Sequence, residues 1–229
     1  MTMIDTTRRQ FVFAGGLGVA AAVLPGEVYG KAVKKDEDEV SPTEDLMREH
    51  GVLRRILLVY GEITRRVDAK QEIKAEWVTS SATIVREFIE DYHEKDEEEF
   101  VFPRLQKAGK LTDLVTVLLA QHQAGRRVTA EILRLATPAG LKGEASRKQL
   151  ADGLRSFVRM YEPHSAREDT VLFPTFRALL SERELKKLMD TFEDKEKALP
   201  HGGFEKMVEE VAKIEQSIGI YDLATFTPA

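Results

Sequence analysis

Apolar residues recur along most of the chain at intervals of three and four, the spacing that gives a helix one buried face. Leu46, Met47, Leu53, Leu57 and Ile63 form such a stripe, which predicts a first helix over about residues 43–67. Ser41-Pro42-Thr43-Glu44 should open it: serine caps, proline takes the first position and Glu44 completes a capping box. Ile84, Phe88, Ile89 and Phe100 mark a second helix over about 76–105, with Pro103 ending or kinking it. After the break at Gly109, a third helix is predicted over about 111–136, and Thr137-Pro138-Ala139-Gly140 reads as a loop. A fourth, over about 144–180, carries Phe157, Tyr161 and Val171, and Pro163 should distort it locally. Two shorter amphipathic helices follow at 181–199 and 204–218. The apolar tail from Tyr221 to Phe226 should pack back on the bundle. The predicted fold is all-α: an antiparallel four-helix bundle over 43–180 with a two-helix C-terminal extension over 181–229.

Residues 1–32 break this pattern. Arg8-Arg9 precedes Phe11 and Val12, and an uncharged Ala- and Gly-rich run continues to Leu24. That order resembles a twin-arginine export signal, with cleavage after Gly30 or Ala32. The run is too short to span a bilayer comfortably, so no stable membrane anchor is expected. The signal implies the twin-arginine translocation machinery as a partner and an exported, periplasmic location. Residues 33–42 form a charged linker.

Composition narrows the class further. A chain that is 42% hydrophobic and 32% charged reads as soluble and globular, and its scarcity of Val, Ile and Thr runs favours helix. The formal charge of −5, with no basic stripe on any predicted face, argues against nucleic acid. The absence of cysteine excludes disulfides and thiolate metal sites.

The chemistry lies in a repeat. His93-x-x-x-Glu97 followed by Phe102-Pro103 recurs 71 residues later as His164-x-x-x-Glu168 followed by Phe173-Pro174. His50 with Arg54-Arg55 recurs 72 residues later as His122 with Arg126-Arg127. Four of the five histidines belong to this frame; the fifth, His201, reads as a surface residue in a Gly-rich loop. Residues four apart share a helix face, so each His-x-x-x-Glu aims an imidazole and a carboxylate at one point. Four buried imidazoles and two buried carboxylates cost a core their desolvation unless something offsets it. Two divalent cations in the bundle do so.

This arrangement resembles the hemerythrin family, and specifically the bacterial hemerythrin-like (HHE cation-binding) domains. The resemblance covers about residues 43–180. It implies His50, His93, Glu97, His122, His164 and Glu168 as ligands of two iron ions bridged by an oxo or hydroxo group and by both carboxylates. Two departures stand out. Arg126 occupies the place of a second histidine on the third helix. Asp169, five residues after His164, stands where respiratory members carry their carboxylate, but Glu168 shares the His164 face and is preferred. With about six ligands per ion, this set leaves about two positions open. Arg54 and Arg126 are candidate partners of the bridging glutamates. Glu90 is a candidate extra ligand and Tyr161 a candidate hydrogen-bond donor to a bound ligand; each lies three residues before its motif histidine. Phe100, Phe102, Val171 and Phe173 should keep the pocket dry, while Glu98 and Glu99 read as a solvated face. The leading function is binding of dioxygen or a related small ligand. The alternatives are a di-iron oxidoreductase acting on peroxide or nitric oxide, and a metal store or zinc-stabilised interaction domain.

Overall fold

The computed structural model describes residues 40–228, so the export signal and nearly all of the linker expected at the N-terminus lie outside the described residues. Among the described residues there are six helices and no strand. α1 spans Pro42–Asp68, with Pro42 in its first turn and the Ser41 hydroxyl accepting the Glu44 amide at 3.3 Å. Of the capping box expected there, only this half forms. The full reciprocal box closes instead between Ser181 and Glu184, at the start of the helix Glu182–Lys197.

α2 begins at Ala75–Ile84 and runs without a break to Phe102–Lys107, where Gly109 takes left-handed backbone (φ 62°) and releases the chain. α3 spans Thr112–Leu135. α4 begins at Glu144–Arg167 and runs on to Phe173–Arg177. α5 is Glu182–Lys197 and α6 is Phe204–Ile218. No helix among the described residues is long and apolar enough to cross a membrane.

Two expectations about proline need correction. Pro103 does not end α2, which runs on to Lys107. It is preceded by a widened turn, Glu97–Val101, in which the Phe102 amide bonds the Glu97 carbonyl five residues back. Pro174 is preceded by the matching turn, Glu168–Leu172, where the Phe173 amide bonds the Glu168 carbonyl. A proline ring clashes with the carbonyl four residues before it and offers no donor, and an i→i+5 turn moves that carbonyl aside. Both of these turns start on a motif glutamate; a longer widened stretch, Val85–His93, ends on the motif histidine of α2. Pro163, in contrast, sits inside a stretch that remains α-helical.

Side chains from all six helices build two apolar clusters. One gathers Ile56, Tyr60, Ile63, Phe88 and Phe157, and α6 adds Met207, Val211 and Ile214. The other gathers Leu46, Phe102, Leu118, Phe173 and Phe176, and α5 adds Leu188 and Phe192. The extension therefore completes the bundle core. Arg55 fixes α6 with a two-pronged ion pair to Glu215 (3.0 and 2.5 Å). The tail does not pack back as expected: Leu223 is 79% exposed, and Tyr221 and Phe226 are about half exposed.

Candidate metal centre

α1 contributes His50, α2 His93 and Glu97, α3 His122, and α4 His164 and Glu168; all six side chains are buried. The ligand-capable atoms of Glu97, His122, His164 and Glu168 lie within 4.8 Å of one another, as do those of His50, His93 and Glu97. His50 Nε2 is 3.0 Å from His93 Nε2 and 3.4 Å from Glu168 Oε2. His164 Nε2 lies 3.0 Å from the same glutamate oxygen. His122 Nε2 is 3.4 Å from Glu97 Oε2. Phe173 stacks on the His50 ring and Phe102 on the His122 ring, each at 5.5 Å between centroids, which closes the pocket with apolar surface.

All four rings are oriented from behind. His50 Nδ1 lies 2.7 Å from Asp169, His93 Nδ1 2.6 Å from Glu49, His122 Nδ1 3.1 Å from Glu98 and His164 Nδ1 2.9 Å from Gln121. With each Nδ1–H donating to its oxygen, all four Nε2 lone pairs face the centre. Sequence reasoning did not single out Glu49, Glu98 or Gln121, and weighed Asp169 only as a ligand. The repeat itself held the signal: Glu49 and Gln121 are 72 residues apart, and Glu98 and Asp169 are 71 apart. Glu98 is thus a partner of His122, not merely a solvated face. Burial alone would raise its carboxyl, but the contacts from His122, Lys95 and Arg126 bring it down to about 2.

Arg54 and Arg126 do not reach Glu97 or Glu168, the partners expected for them. Arg54 binds Asp169, and Arg126 binds Glu98 at 2.7 Å and Glu94 at 2.8 Å. Glu90 pairs with Arg86 at 2.7 Å, one turn from the centre. The Tyr161 hydroxyl donates to Glu94 Oε1 at 2.6 Å, so its proton is committed to that carboxylate. Gly125 makes this possible: a Cβ there would sit 2.0 Å from the Tyr161 oxygen. Glu94, Glu98 and His122 form a third cluster of possible ligands, and the Arg126 guanidinium already supplies its positive charge.

Whether these residues fit cations can be judged from the protein alone. Both oxygens of Glu97, both of Glu168 and Nε2 of His122 are buried without a hydrogen-bond partner. With the ring N–H groups turned outward to Asp169, Glu49, Glu98 and Gln121, the nearest nitrogens would offer lone pairs rather than donors. Burial pushes the Glu97 carboxyl well above the usual range, and the neighbouring Glu168 adds to this. Burial would raise Glu168 too, but His164 and His50 pull it below its ordinary value. Burial, with Asp45 and Asp96 nearby, pushes Glu49 up, which positive charge on the His93 ring would oppose. Unpaired acceptors facing one another at 3–4 Å are costly unless positive charge lies between them, so the residues fit metal cations.

The family model described as the hemerythrin HHE cation binding domain matches residues 41–176. The chain belongs to this family. Cation binding is the property in the family's description, and the centre built by the HHE residues is where the chain can provide it. Three uncharacterized relatives are 47% identical over 206 residues, covering 90% of this chain and 81% of each relative. They are Rv1995 and MT2051 of two Mycobacterium tuberculosis strains and Mb2018 of Mycobacterium bovis. No solved structure matches the chain significantly.

Proposed function

We propose that this HHE protein is a non-haem di-iron protein that binds dioxygen or a related small oxidant. On this reading it works in the periplasm after export by the twin-arginine machinery. One observation carries the reading: four buried histidines gather in two adjoining clusters around Glu97 and Glu168, whose four carboxylate oxygens have no hydrogen-bond partner. His50 and His93 would hold one ion, His122 and His164 the other, and Glu97 and Glu168 would reach both. The donor set is nitrogen and oxygen only, which suits iron and leaves positions for a small ligand. When bound, two ferrous ions supply the electrons that such a ligand accepts.

The chain's own residues set the conditions. Phe102 and Phe173 exclude water from the ring faces and favour a small apolar guest. Asp169, Glu49, Glu98 and Gln121 hold the imidazoles in one tautomer and orientation. Tyr161, Glu94 and Arg126 brace the α2–α3–α4 side of the pocket rather than donate into it.

The test is an absorption spectrum of the reduced, iron-loaded protein exposed to oxygen and then degassed. A new band that disappears on degassing supports binding. Continuous consumption of peroxide or nitric oxide would instead make the protein a di-iron oxidoreductase. No change with any of the three would overturn the reading.

A further inference from the structure

The repeat that builds the centre is unequal at one pair of positions. Glu49 and Gln121 are equivalent in it, each one residue before a motif histidine, and each reaches across to the histidine of the following helix. Glu49 Oε2 takes His93 Nδ1 at 2.6 Å, and Gln121 Oε1 takes His164 Nδ1 at 2.9 Å. The other two orienting groups are matched. Asp169 on His50 and Glu98 on His122 are both carboxylates, and each also binds an arginine, Arg54 or Arg126. The His50/His93 pair therefore rests on two carboxylates. The His122/His164 pair rests on one carboxylate and one neutral amide.

The difference acts at the metal-facing nitrogen. A carboxylate accepting the ring N–H feeds electron density into the imidazole and makes Nε2 a stronger base; an amide oxygen offers only its dipole. Glu49 is buried and no guanidinium pairs with it directly; its acidic neighbours Asp45 and Asp96 are themselves paired with Arg48 and Lys195, so the Glu49 carboxyl faces the His93 ring without an arginine of its own. Glu97 and Glu168 each lie near a histidine of both pairs, although the ligand atoms of both glutamates gather only with His122 and His164. Behind the histidines, the inequality is Glu49 against Gln121.

Building on the two-metal reading above, we propose that Glu49 is a positioning residue that makes the His50/His93 position the tighter of the two. The ions then load in order, that position first. Making the two residues alike, by Glu49→Gln or by Gln121→Glu, evens out the two positions while leaving every ligand in place.

The experiment titrates the metal-free protein anaerobically with Co²⁺ and follows its visible absorption, with calorimetry in parallel. Wild type should take two equivalents in two steps whose affinities differ by about 10–100-fold, the usual effect of an orienting partner on metal affinity. Glu49→Gln should weaken the first step by about that factor and merge the two. Gln121→Glu should strengthen the second step and also merge them. A merely structural role would weaken binding in both variants, so the opposite directions are the signature. Urea unfolding of each metal-free variant checks that the bundle is intact, and if Glu49→Gln does not fold, Gln121→Glu decides alone. Two equivalents taken up by wild type in one step would overturn this inference and leave the two-metal reading standing, as would variants that leave both steps unmoved. Fewer than two equivalents in wild type would overturn the two-metal reading itself, and this inference with it.

Discussion

Tyr161→Phe removes one oxygen from the best-packed part of the bundle. The ring lies 4.2 Å from Phe157 between centroids and against the bare Cα of Gly125, so phenylalanine keeps the packing and opens no cavity beyond the missing hydroxyl. What is lost is the 2.6 Å bond to Glu94 Oε1. A hydrogen bond to a charged group contributes about 1.5–3 kcal/mol, and an acceptor left buried without a donor costs a similar amount. Arg126 remains on the other Glu94 oxygen at 2.8 Å, which keeps the loss toward the lower end, about 1.5–2 kcal/mol. Equilibrium urea unfolding at pH 7.5 should show a lower midpoint with an unchanged slope, because the area exposed on unfolding is the same. Metal content should stay at the wild-type value, since the hydroxyl does not face the ligand atoms. A loss below about 0.5 kcal/mol would refute the argument for a committed Tyr161–Glu94 bond. Loss of metal with stability retained would restore Tyr161 to the pocket.

Three further outcomes are expected. Glu168→Ala should lower the metal bound per chain, whereas Asp169→Ala should weaken binding by about 10–100-fold yet still load fully at saturating metal, because Asp169 acts only through His50; metal analysis after dialysis separates the two. Asp45, raised to about 6 by burial and by the neighbouring Glu196, binds its proton more tightly folded than unfolded, so its ionisation should lower stability as pH rises from about 4 through 6. Unfolding followed from pH 4.5 to 7.5 should fall less steeply in Asp45→Asn, and parallel curves would dismiss the assignment. Rerouting residues 33–229 through an exporter of unfolded chains should deliver protein lacking iron or carrying zinc or copper, since imidazole and carboxylate sites prefer those ions when both are available; equal iron from both routes would remove the metal-selection argument.

The six residues that meet at the centre were legible because helical geometry is rigid: a His-x-x-x-Glu spacing fixes a shared face, and the repeat paired the faces across the bundle. The two extension helices were legible from the same periodicity. The orienting residues were harder, because each lies one residue off its own helix's inward line and works on a histidine of another helix. The arginines were misdirected for a related reason. Arg54 and Arg126 lie one turn beyond a histidine on the right side, but their long side chains carry the guanidinium past the centre to Asp169, Glu94 and Glu98. The prolines misled because a local rule was applied without its remedy. The clash at Pro103 and Pro174 is met by a widened turn before each, while the stretch around Pro163 stays α-helical. The tail was misread because its few apolar residues stay exposed, while α6, with the same period sustained over four turns, buries Met207, Val211, Ile214 and Ile218.

The account rests on two irons between Glu97 and Glu168, and metal analysis with an absorption spectrum tests it most directly. Protein purified without added metal should contain about two irons per chain, with near-ultraviolet absorption that bleaches on reduction. His93→Ala with His164→Ala, which removes one imidazole from each position, should abolish both signals. Zinc in place of iron in the wild type, or full iron loading in the double variant, would contradict the account.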